Sequence, residues 1–414
     1  TNAGTASGFG ATGETSWDTT VKTTGTFTAT AGVGYFLNTT GGIITVNLPV
    51  GAAGSSVALV DYAGTFQTNN VTVTPNGTDK IGGVNTSVTL NTEGQSVTFV
   101  YIDGTQGWVN VLDSTSNVRG FSFVTATGGT VLTNGNFKTH VFTGPGTFAV
   151  SCAGSVCGSN TIDYVVVAAG GGSQGAACQT GGGGGGGFRL SNSVGCVPAP
   201  TMSPLTNPTG LPVTATGYPV TVGGGTSGTA GSNSVFAGSS TITSAGGGAS
   251  PGGSGGSGSG TKPLGAAGGL GNTPPVSPSQ GNPGGSGAHQ AAQYGVGGGG
   301  GAGAAGVNGS PGAGGNGGVG SYIGDTFFGP TAPSYGTPGP VGSTRYFAGG
   351  GGGGAETGPL GTGGSGGGGT AVSNTSPTSN PGTINTGGGG GDANDNSPNT
   401  SGGSGVVIIR YKFQ

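Results

Sequence analysis

Alternating apolar and polar positions run through the first part of the chain, residues 15–113. In the stretch VTVT, residues 71–74, valines alternate with threonines, and VTL at residues 88–90 continues the pattern, as in strands with one buried face. Turn-forming residues, such as PNG at 75–77, separate these runs. Apolar residues do not recur at helical spacing in this stretch. The pattern therefore predicts an all-β fold here, as a small β-sandwich or a barrel-like module.

A second β region is predicted for residues 120–169. Its strand-like runs are FSFVTATGG, TVLTNGNFKTHVFTG, GTFAVS and TIDYVVVAAG, and Asn134-Gly135 is a strong signal for a hairpin turn. The chain ends on another apolar run, residues 406–413. Because a folded insertion needs anchored ends whereas a disordered linker does not, we expect residues 164–169 and 406–413 to pair in one sheet.

Glycine dominates the residues between these two runs, 170–405, and the whole chain contains 106 glycines among 414 residues. No strict Gly-X-Y period persists, which excludes a collagen helix. Pure glycine blocks alternate instead with longer mixed segments. The blocks are residues 181–187, 223–225, 246–248, 297–301, 349–354, 366–369 and 387–391.

Each glycine block is predicted to form a rod of the polyproline-II type. Such a helix has about three residues per turn and no internal hydrogen bonds, so its N–H and C=O groups need partners outside the rod. Glycine has no Cβ, so neighbouring backbones can approach closely enough to supply those partners. The alternative is a flexible linker, and the bracketing strands favour an ordered rod bundle closed by the C-terminal strand, residues 406–414. The remaining segments are an N-terminal extension, residues 1–14, and a linker, residues 114–119.

Charge and hydropathy narrow the classes of partner. Only 5% of the residues are charged and the formal net charge is −3, which leaves no basic surface for nucleic acid. Neither a long apolar run nor a Lys/Arg-rich amphipathic segment predicts contact with a membrane.

Residues that could carry out catalysis or bind metal are few and scattered. Four cysteines could be thiols or form one or two disulfides, and their spacing disfavours zinc: Cys152, Cys157, Cys178 and Cys196. His140 and His289 stand alone, with no pattern of a catalytic triad. Residues 392–396, DANDN, resemble part of a calcium loop but lack its closing glutamate. The sequence predicts no catalytic residue, cofactor or metal site, and hence no enzyme.

Several motifs resemble a known family. HVFTGPGTFAVS, YVVVAAGGG, the glycine blocks and GGSGVVIIRYK follow in the order found in the glycine-rich domain at the C-termini of tailed-phage fibre and adhesin proteins. This resemblance covers residues 120–414. Residues 16–112 are similar to β modules of marine phage structural proteins. In T-even-like distal adhesins of this kind, glycine rods form a bundle and loops at its tip contact the host.

The resemblance implies a virion structural protein, a tail fibre or receptor-binding adhesin on an external appendage. Its partners would be other virion proteins and a host surface protein or glycan, without nucleic acid. The resemblance also implies a homo-oligomer, and a trimer is one assembly that it allows. Two alternatives remain open: a capsid or tail decoration fibre without a dedicated receptor, and a bacterial extracellular filament or surface protein.

Two long loops rich in aromatic residues are the candidate receptor-binding segments. Aromatic side chains supply large contact areas at low entropic cost and are favoured at recognition surfaces. The first loop, residues 321–347, contributes the candidate residues Tyr322, Phe327, Phe328, Tyr335, Tyr346 and Phe347. The second, residues 188–222, contains Phe188 and Tyr218. The alternative is that these rings pack against their own bundle.

Overall fold

The structure is a computed structural model of the chain. It describes residues 15–114, 123–154, 159–175, 180–193, 202–262, 266–290, 293–373, 380–393 and 398–414. The predicted N-terminal extension, most of the predicted linker, three of the four cysteines and residues 394–396 of the partial calcium loop lie outside these ranges. The chain divides into two compact units, Thr1–Gly120 and Phe121–Gln414.

Two open β-sheets form unit 1. Their nine strands are β1 (Ser16–Lys22), β2 (Gly25–Thr28), β3 (Val33–Leu37), β4 (Ile44–Asn47), β5 (Ser56–Asp61), β6 (Val71–Thr74), β7 (Val88–Leu90), β8 (Ser96–Tyr101) and β9 (Trp108–Ser114). One sheet has the order β1-β3-β5-β8-β9 and the other β2-β4-β6-β7. The chain alternates between the sheets through the first six strands, so the pairs among β1, β3 and β5, and among β2, β4 and β6, are parallel.

The core of unit 1 lies between these sheets. Val71 and Val73 of β6 are fully buried beside Ile44 and Val46 of β4, while the threonines of β6 face outward. The alternation in VTVT therefore marks the buried face, as the sequence predicted. Of the two predicted architectures, the structure has the sandwich.

Unit 2 contains the remaining strands. They are β10 (Val124–Thr127), β11 (Thr130–Asn134), β12 (Phe137–Phe142), β13 (Gly146–Ala153), β14 (Thr161–Val167), β15 (Phe188–Ser191), β16 (Thr206–Asn207), β17 (Leu211–Pro212), β18 (Gly217–Thr221), β19 (Ser234–Ala237), β20 (Thr241–Ser244), β21 (Ala288–Gln290), β22 (Gln293–Gly295), β23 (Ser321–Gly324), β24 (Thr344–Phe347) and β25 (Val406–Lys412). Two 3-10 turns cover Asp325–Phe327 and Gly329–Ser334, and the described residues contain no α-helix. None of their helical turns has the length and apolar character of a membrane span.

The central sheet of unit 2 has the order β11-β12-β25-β14-β15-β16. Its strands β14 and β25 are antiparallel from Asp163 opposite Arg410 to Val167 opposite Val406, which confirms the predicted pairing. The predicted hairpin at Asn134-Gly135 joins β11 to β12, and Gly135 has the positive φ of 56° that such a tight turn requires.

The central sheet is covered on both faces. One face packs against the second sheet, β10-β13-β18-β19-β20, with Tyr164 and Ile409 in the shared core. Val165 and Ile408 lie in a separate core on the opposite face. Burial of both faces explains why these strands are continuously apolar rather than alternating.

The seven-glycine block 181–187 forms a buried rod at the centre of a backbone-bonded array. Its N–H groups point in turn at three neighbouring segments, a repeat of three residues that matches a polyproline-II helix. The donor–acceptor pairs are Gly182 to Gly297, Gly183 to Gly390, Gly184 to Gly248, Gly185 to Gly300, Gly186 to Gly387 and Gly187 to Ala245.

Three further segments donate hydrogen bonds to the carbonyl oxygens of this central rod. The donor–acceptor pairs are Gly171 to Gly184, Gly351 to Gly183, Gly260 to Gly182 and Ser257 to Gly185. The rod thus has six neighbours, which is the number in hexagonal packing. A Cβ on Gly184 would lie within 2.8 Å of the Gly258 backbone, so the close spacing of the rods requires glycine at this position.

The glycine-rich region and the second β region belong to one compact unit. Strands β18, β19 and β20 lie within residues 170–405, yet they complete the sheet that begins with β10 and β13. Rods also extend beyond the pure glycine blocks, since residues 257–260, SGSG, bond to the central rod. High glycine content therefore does not by itself separate the rod-forming segments from the strands.

Candidate functional site

The aromatic loop 321–347 folds over the central sheet of unit 2. Four of its six candidate rings are buried: Phe327 and Phe347 are 0% exposed, Phe328 is 1% and Tyr346 is 3% exposed. These four side chains offer almost no surface to a receptor. These four rings therefore do not form the expected binding surface. They pack against their own unit, which was the alternative interpretation.

The burial of these rings follows from the apolar face of the central sheet that lies opposite the second sheet. The three phenylalanines pack with Val165 and Ile408 on that face. The Phe328 and Phe347 ring centroids are 6.5 Å apart. The Arg410 guanidinium lies 5.1 Å from the Phe327 ring centroid, in a cation–π contact. The loop therefore supplies the second half of a hydrophobic core.

The second candidate loop, residues 188–222, is also largely part of the fold. Phe188 belongs to β15, is buried, and stacks 6.4 Å from Phe347. Tyr218 belongs to β18 and is buried against Phe236. Residues 194–201 of this loop lie outside the described residues.

One pair of aromatic side chains borders open space. Tyr322 of β23 lies directly opposite Tyr346 of β24, with ring centroids 5.1 Å apart. Tyr322 is half-buried and, with the edge of Tyr346, lines a cleft of about 290 Å³. The remaining lining residues are Pro204, Leu205, Ser279, Asn282, Ala302, Gly303, Val319, Gly320 and Ser321. We call this cavity the Tyr322 cleft.

Backbone contacts fix the hairpin that carries the two tyrosines. Arg345 donates from Nε to the carbonyl oxygen of Tyr335 (2.6 Å) and from Nη2 to that of Gly336 (2.8 Å). Tyr335 is itself half-buried and stacks on Phe328 with centroids 5.2 Å apart. The Tyr346 ring packs so closely on Gly339 that a Cβ there would overlap the ring. The rings are therefore held in place before any partner arrives.

The polar groups of the Tyr322 cleft are neutral. Asn282 donates from Nδ2 to the carbonyl oxygens of Gly301 (3.0 Å) and Ala302 (2.9 Å), which fixes the orientation of its amide. Among the described residues, none donates a hydrogen bond to Asn282 Oδ1. Burial raises the pKa of the Tyr346 phenol above its ordinary value, so this phenol stays protonated at neutral pH. The arrangement suits recognition of a neutral ligand by apolar and hydrogen-bonding contacts.

Several cleft residues were not predicted from the sequence. Leu205, Ser279 and Asn282 come from separate segments that meet only when the rods assemble. Ser279 and Asn282 lie outside both candidate loops, and Leu205 lies in the second loop but is not one of its aromatic residues. The neighbouring residues along the chain carry no signal that would have identified them.

Both histidines contact residues of their own unit. His140 is buried, and its two ring nitrogens lie 2.6 Å from the Gly128 carbonyl oxygen and 3.1 Å from the Tyr411 hydroxyl. Burial lowers the pKa of His140. His289 lies in β21 with its ring 4.9 Å from that of Tyr294.

Asp392, the first residue of the partial calcium loop, is buried among hydrogen-bond donors. Its Oδ1 accepts from the N–H groups of Thr180 (3.1 Å) and Gly181 (2.9 Å), and its Oδ2 from the N–H of Gly354 (3.2 Å). The carboxylate thus ties together three segments of the rod array. Cys152 lies half-buried in β13. Within the described ranges, no three His, Cys, Asp or Glu side chains group as a metal site would require.

Comparison with known proteins identifies the family. No curated protein matches the chain. The model of the glycine-rich domain family matches residues 142–412, which include β14, β25 and the whole rod array. This match spans well over half of the chain, so the protein belongs to the glycine-rich domain family.

Proposed function

We propose that this protein is a virion structural protein, a tail fibre or receptor-binding adhesin that attaches a phage to its host cell. The rod array would be the rigid scaffold, and the Tyr322 cleft would be one contact point with the host surface. Other virion proteins would hold the chain on an external appendage as a homo-oligomer. The order of motifs shared with phage fibre and adhesin proteins supports this proposal.

The observation that carries the proposal is the central rod 181–187 with its six bonded neighbours. A backbone-bonded array has few rotatable side chains to reorganise, so it presents its loops at fixed positions. Binding by preorganised groups costs less conformational entropy than binding by flexible ones. A rigid scaffold that displays a half-exposed tyrosine beside an open cleft is therefore suited to attachment.

Adsorption of the isolated protein tests this function. The full chain is labelled, and its saturable binding is measured on cells and isolated envelopes of candidate hosts. We expect saturable binding to a host, and Tyr322→Ser should weaken it about tenfold, as is common for a central interface tyrosine. Tyr62→Ser is the matched control, because Tyr62 is an exposed tyrosine in unit 1.

Two results would contradict the proposal at different levels. Undiminished adsorption by folded Tyr322→Ser would remove the cleft from the contact surface while leaving attachment intact. Absence of saturable binding to any candidate host would argue against an adhesin. In that case regular occupancy of a capsid lattice would favour a decoration fibre, and self-polymerisation of the pure chain would favour a filament.

The double change of Phe327 and Phe328 to serine is unsuitable as a binding test. Both rings are buried in the core beneath the central sheet. Loss of adsorption by that variant would report unfolding rather than loss of a contact.

A further inference from the structure

The outer face of the five-stranded sheet in unit 1 carries a trough of about 360 Å³, distinct from the Tyr322 cleft. Residues that pair directly across neighbouring strands share one face of a sheet. One such row crosses all five strands: Trp17, Gly34, Ala58, Thr98 and Leu112. The next row on the same face contains Phe36, Val60, Ser96 and Ser114. We call this cavity the Trp17 trough.

An indole forms one wall of the Trp17 trough. The Trp17 side chain lies across β3, where a Cβ on Gly34 would come within 2.6 Å of its ring, so only glycine leaves room for it. The ring is braced by Phe36, with centroids 5.1 Å apart and an interplanar angle of 31°. Trp17 nevertheless remains 44% exposed. The fold thus holds a large aromatic surface in place and leaves part of it open to solvent.

Hydroxyl groups lie opposite this indole. Ser96 and Thr98 stand two residues apart on β8, so their side chains point to the same face, about 7 Å apart along the strand. Neither hydroxyl has a hydrogen-bond partner among the described residues. Strand β8 is two strand spacings from β3, roughly 10 Å. The floor between the wall and the hydroxyls is formed by Ala58 and Val60.

Among the described residues, no ionisable side chain shares the open face of the Trp17 trough. Asp113 borders the trough, but it pairs with Val97, so its side chain lies on the opposite face of the sheet from Ser96 and Thr98. Asp113 Oδ1 accepts a hydrogen bond from Gln95 Nε2 at 3.3 Å. Among the described lining residues there is also no Lys or Arg that would attract an anion. The electrostatics therefore favour a neutral ligand rich in hydroxyl groups.

We propose that the Trp17 trough binds a neutral saccharide. The apolar C–H face of a sugar ring would lie against the Trp17 indole. Its hydroxyl groups would bond to Ser96 and Thr98. A width of about 10 Å leaves room for a sugar ring to lie along the floor. The site lies in unit 1, so it goes beyond the attachment function proposed for unit 2, and either can fail without the other.

Intrinsic fluorescence offers a direct test, because the chain contains only two tryptophans. Trp17 is 44% exposed and Trp108 is fully buried, so acrylamide should quench mainly Trp17. The full chain is titrated with neutral oligosaccharides of glucose, galactose, mannose and N-acetylglucosamine, and in parallel with sialylated and sulfated oligosaccharides. We expect at least one neutral oligosaccharide to shift the emission and reduce quenching. Trp17→Phe should abolish both changes.

A second pair of variants separates binding from folding. Thr98→Val keeps the side-chain shape and removes one hydroxyl, so saccharide affinity should fall about three- to tenfold, measured by calorimetry. Thr72→Val is the matched control on the outer face of the other sheet, and its affinity should equal that of the parent. The proposal is overturned if no neutral saccharide binds at millimolar concentration, if charged saccharides bind better, or if Thr98→Val binds as the parent does.

Discussion

Val166 of β14 lies directly opposite Val407 of β25, although the whole glycine-rich region separates them in sequence. Each strand continues into the rod array, where the N–H of Gly170 donates to the carbonyl oxygen of Gly403 at 3.0 Å. The central sheet and the array are therefore one continuous hydrogen-bonded structure.

Removal of residues 406–414 should leave the glycine-rich region sensitive to protease. Strand β25 lies between β12 and β14, so its loss divides the central sheet and takes buried side chains from both cores. Limited proteolysis of the truncated chain should cleave within residues 170–405 under conditions where the parent is intact. Deletion of Gln414 alone is the control. A truncated chain as resistant as the parent would show that the pairing of β14 with β25 is not needed for order.

Gly184→Val should destabilise unit 2 strongly. The new side chain would overlap the Ser257 carbonyl oxygen and the Gly258 backbone, which belong to a neighbouring rod. Overpacking of this kind costs roughly 3 kcal/mol or more when the obstacle is backbone that cannot move aside. Gly224→Val is the matched control, because a Cβ there meets nothing within 4 Å. Thermal denaturation should show a clear loss for the first variant and little change for the second. Equal melting temperatures for Gly184→Val and the parent would mean that rod 181–187 is not closely packed.

Asp392 should make the protein more stable in mild acid. Burial raises the pKa of Asp392 to about 6, above the ordinary value of 3.8 for an aspartate. Between these two values the folded state retains a proton that the unfolded state has lost, so the stability falls as the pH rises through this window. The gap between the two pKa values corresponds to a loss of at most about 3 kcal/mol in the free energy of unfolding. Chemical denaturation between pH 4 and pH 7 measures it, and Asp392→Asn should remove this contribution. A carboxylate whose hydrogen bonds outweighed its burial would produce the opposite slope.

His140 should oppose this effect. Burial lowers the pKa of His140, so below about pH 6.5 the unfolded state takes up a proton that the folded state does not. The contribution of His140 to stability is therefore present above that pH and is lost as the pH falls. The two effects separate in single variants: Asp392→Asn should lose stability between pH 7 and pH 5, whereas His140→Gln should gain it. The same slope in both variants would rule out one of the two assignments.

The sequence alone indicated the all-β character of residues 15–169 and the position of the central rod, residues 181–187. Alternation in residues 71–74 marks a half-buried strand, because side chains on successive strand residues point to opposite faces. The matching apolar runs, residues 164–169 and 406–413, indicated a strand pair, because a folded insertion needs anchored ends. The block 181–187 indicated a rod, because only a chain without Cβ atoms allows backbones to bond at such close spacing.

The tertiary structure alone decided which aromatic residues remain exposed and which segments meet. Phe327 and Tyr322 lie five residues apart in the same aromatic loop, yet one fills the core beneath the central sheet and the other borders a cleft. Residue type could not separate them, because aromatic side chains are favoured both in cores and at recognition surfaces. The Trp17 trough likewise depends on Gly34, Ala58 and Thr98 coming into register across strands distant in sequence. Such contacts are set by non-local pairing of the backbone, which no local pattern of residues encodes.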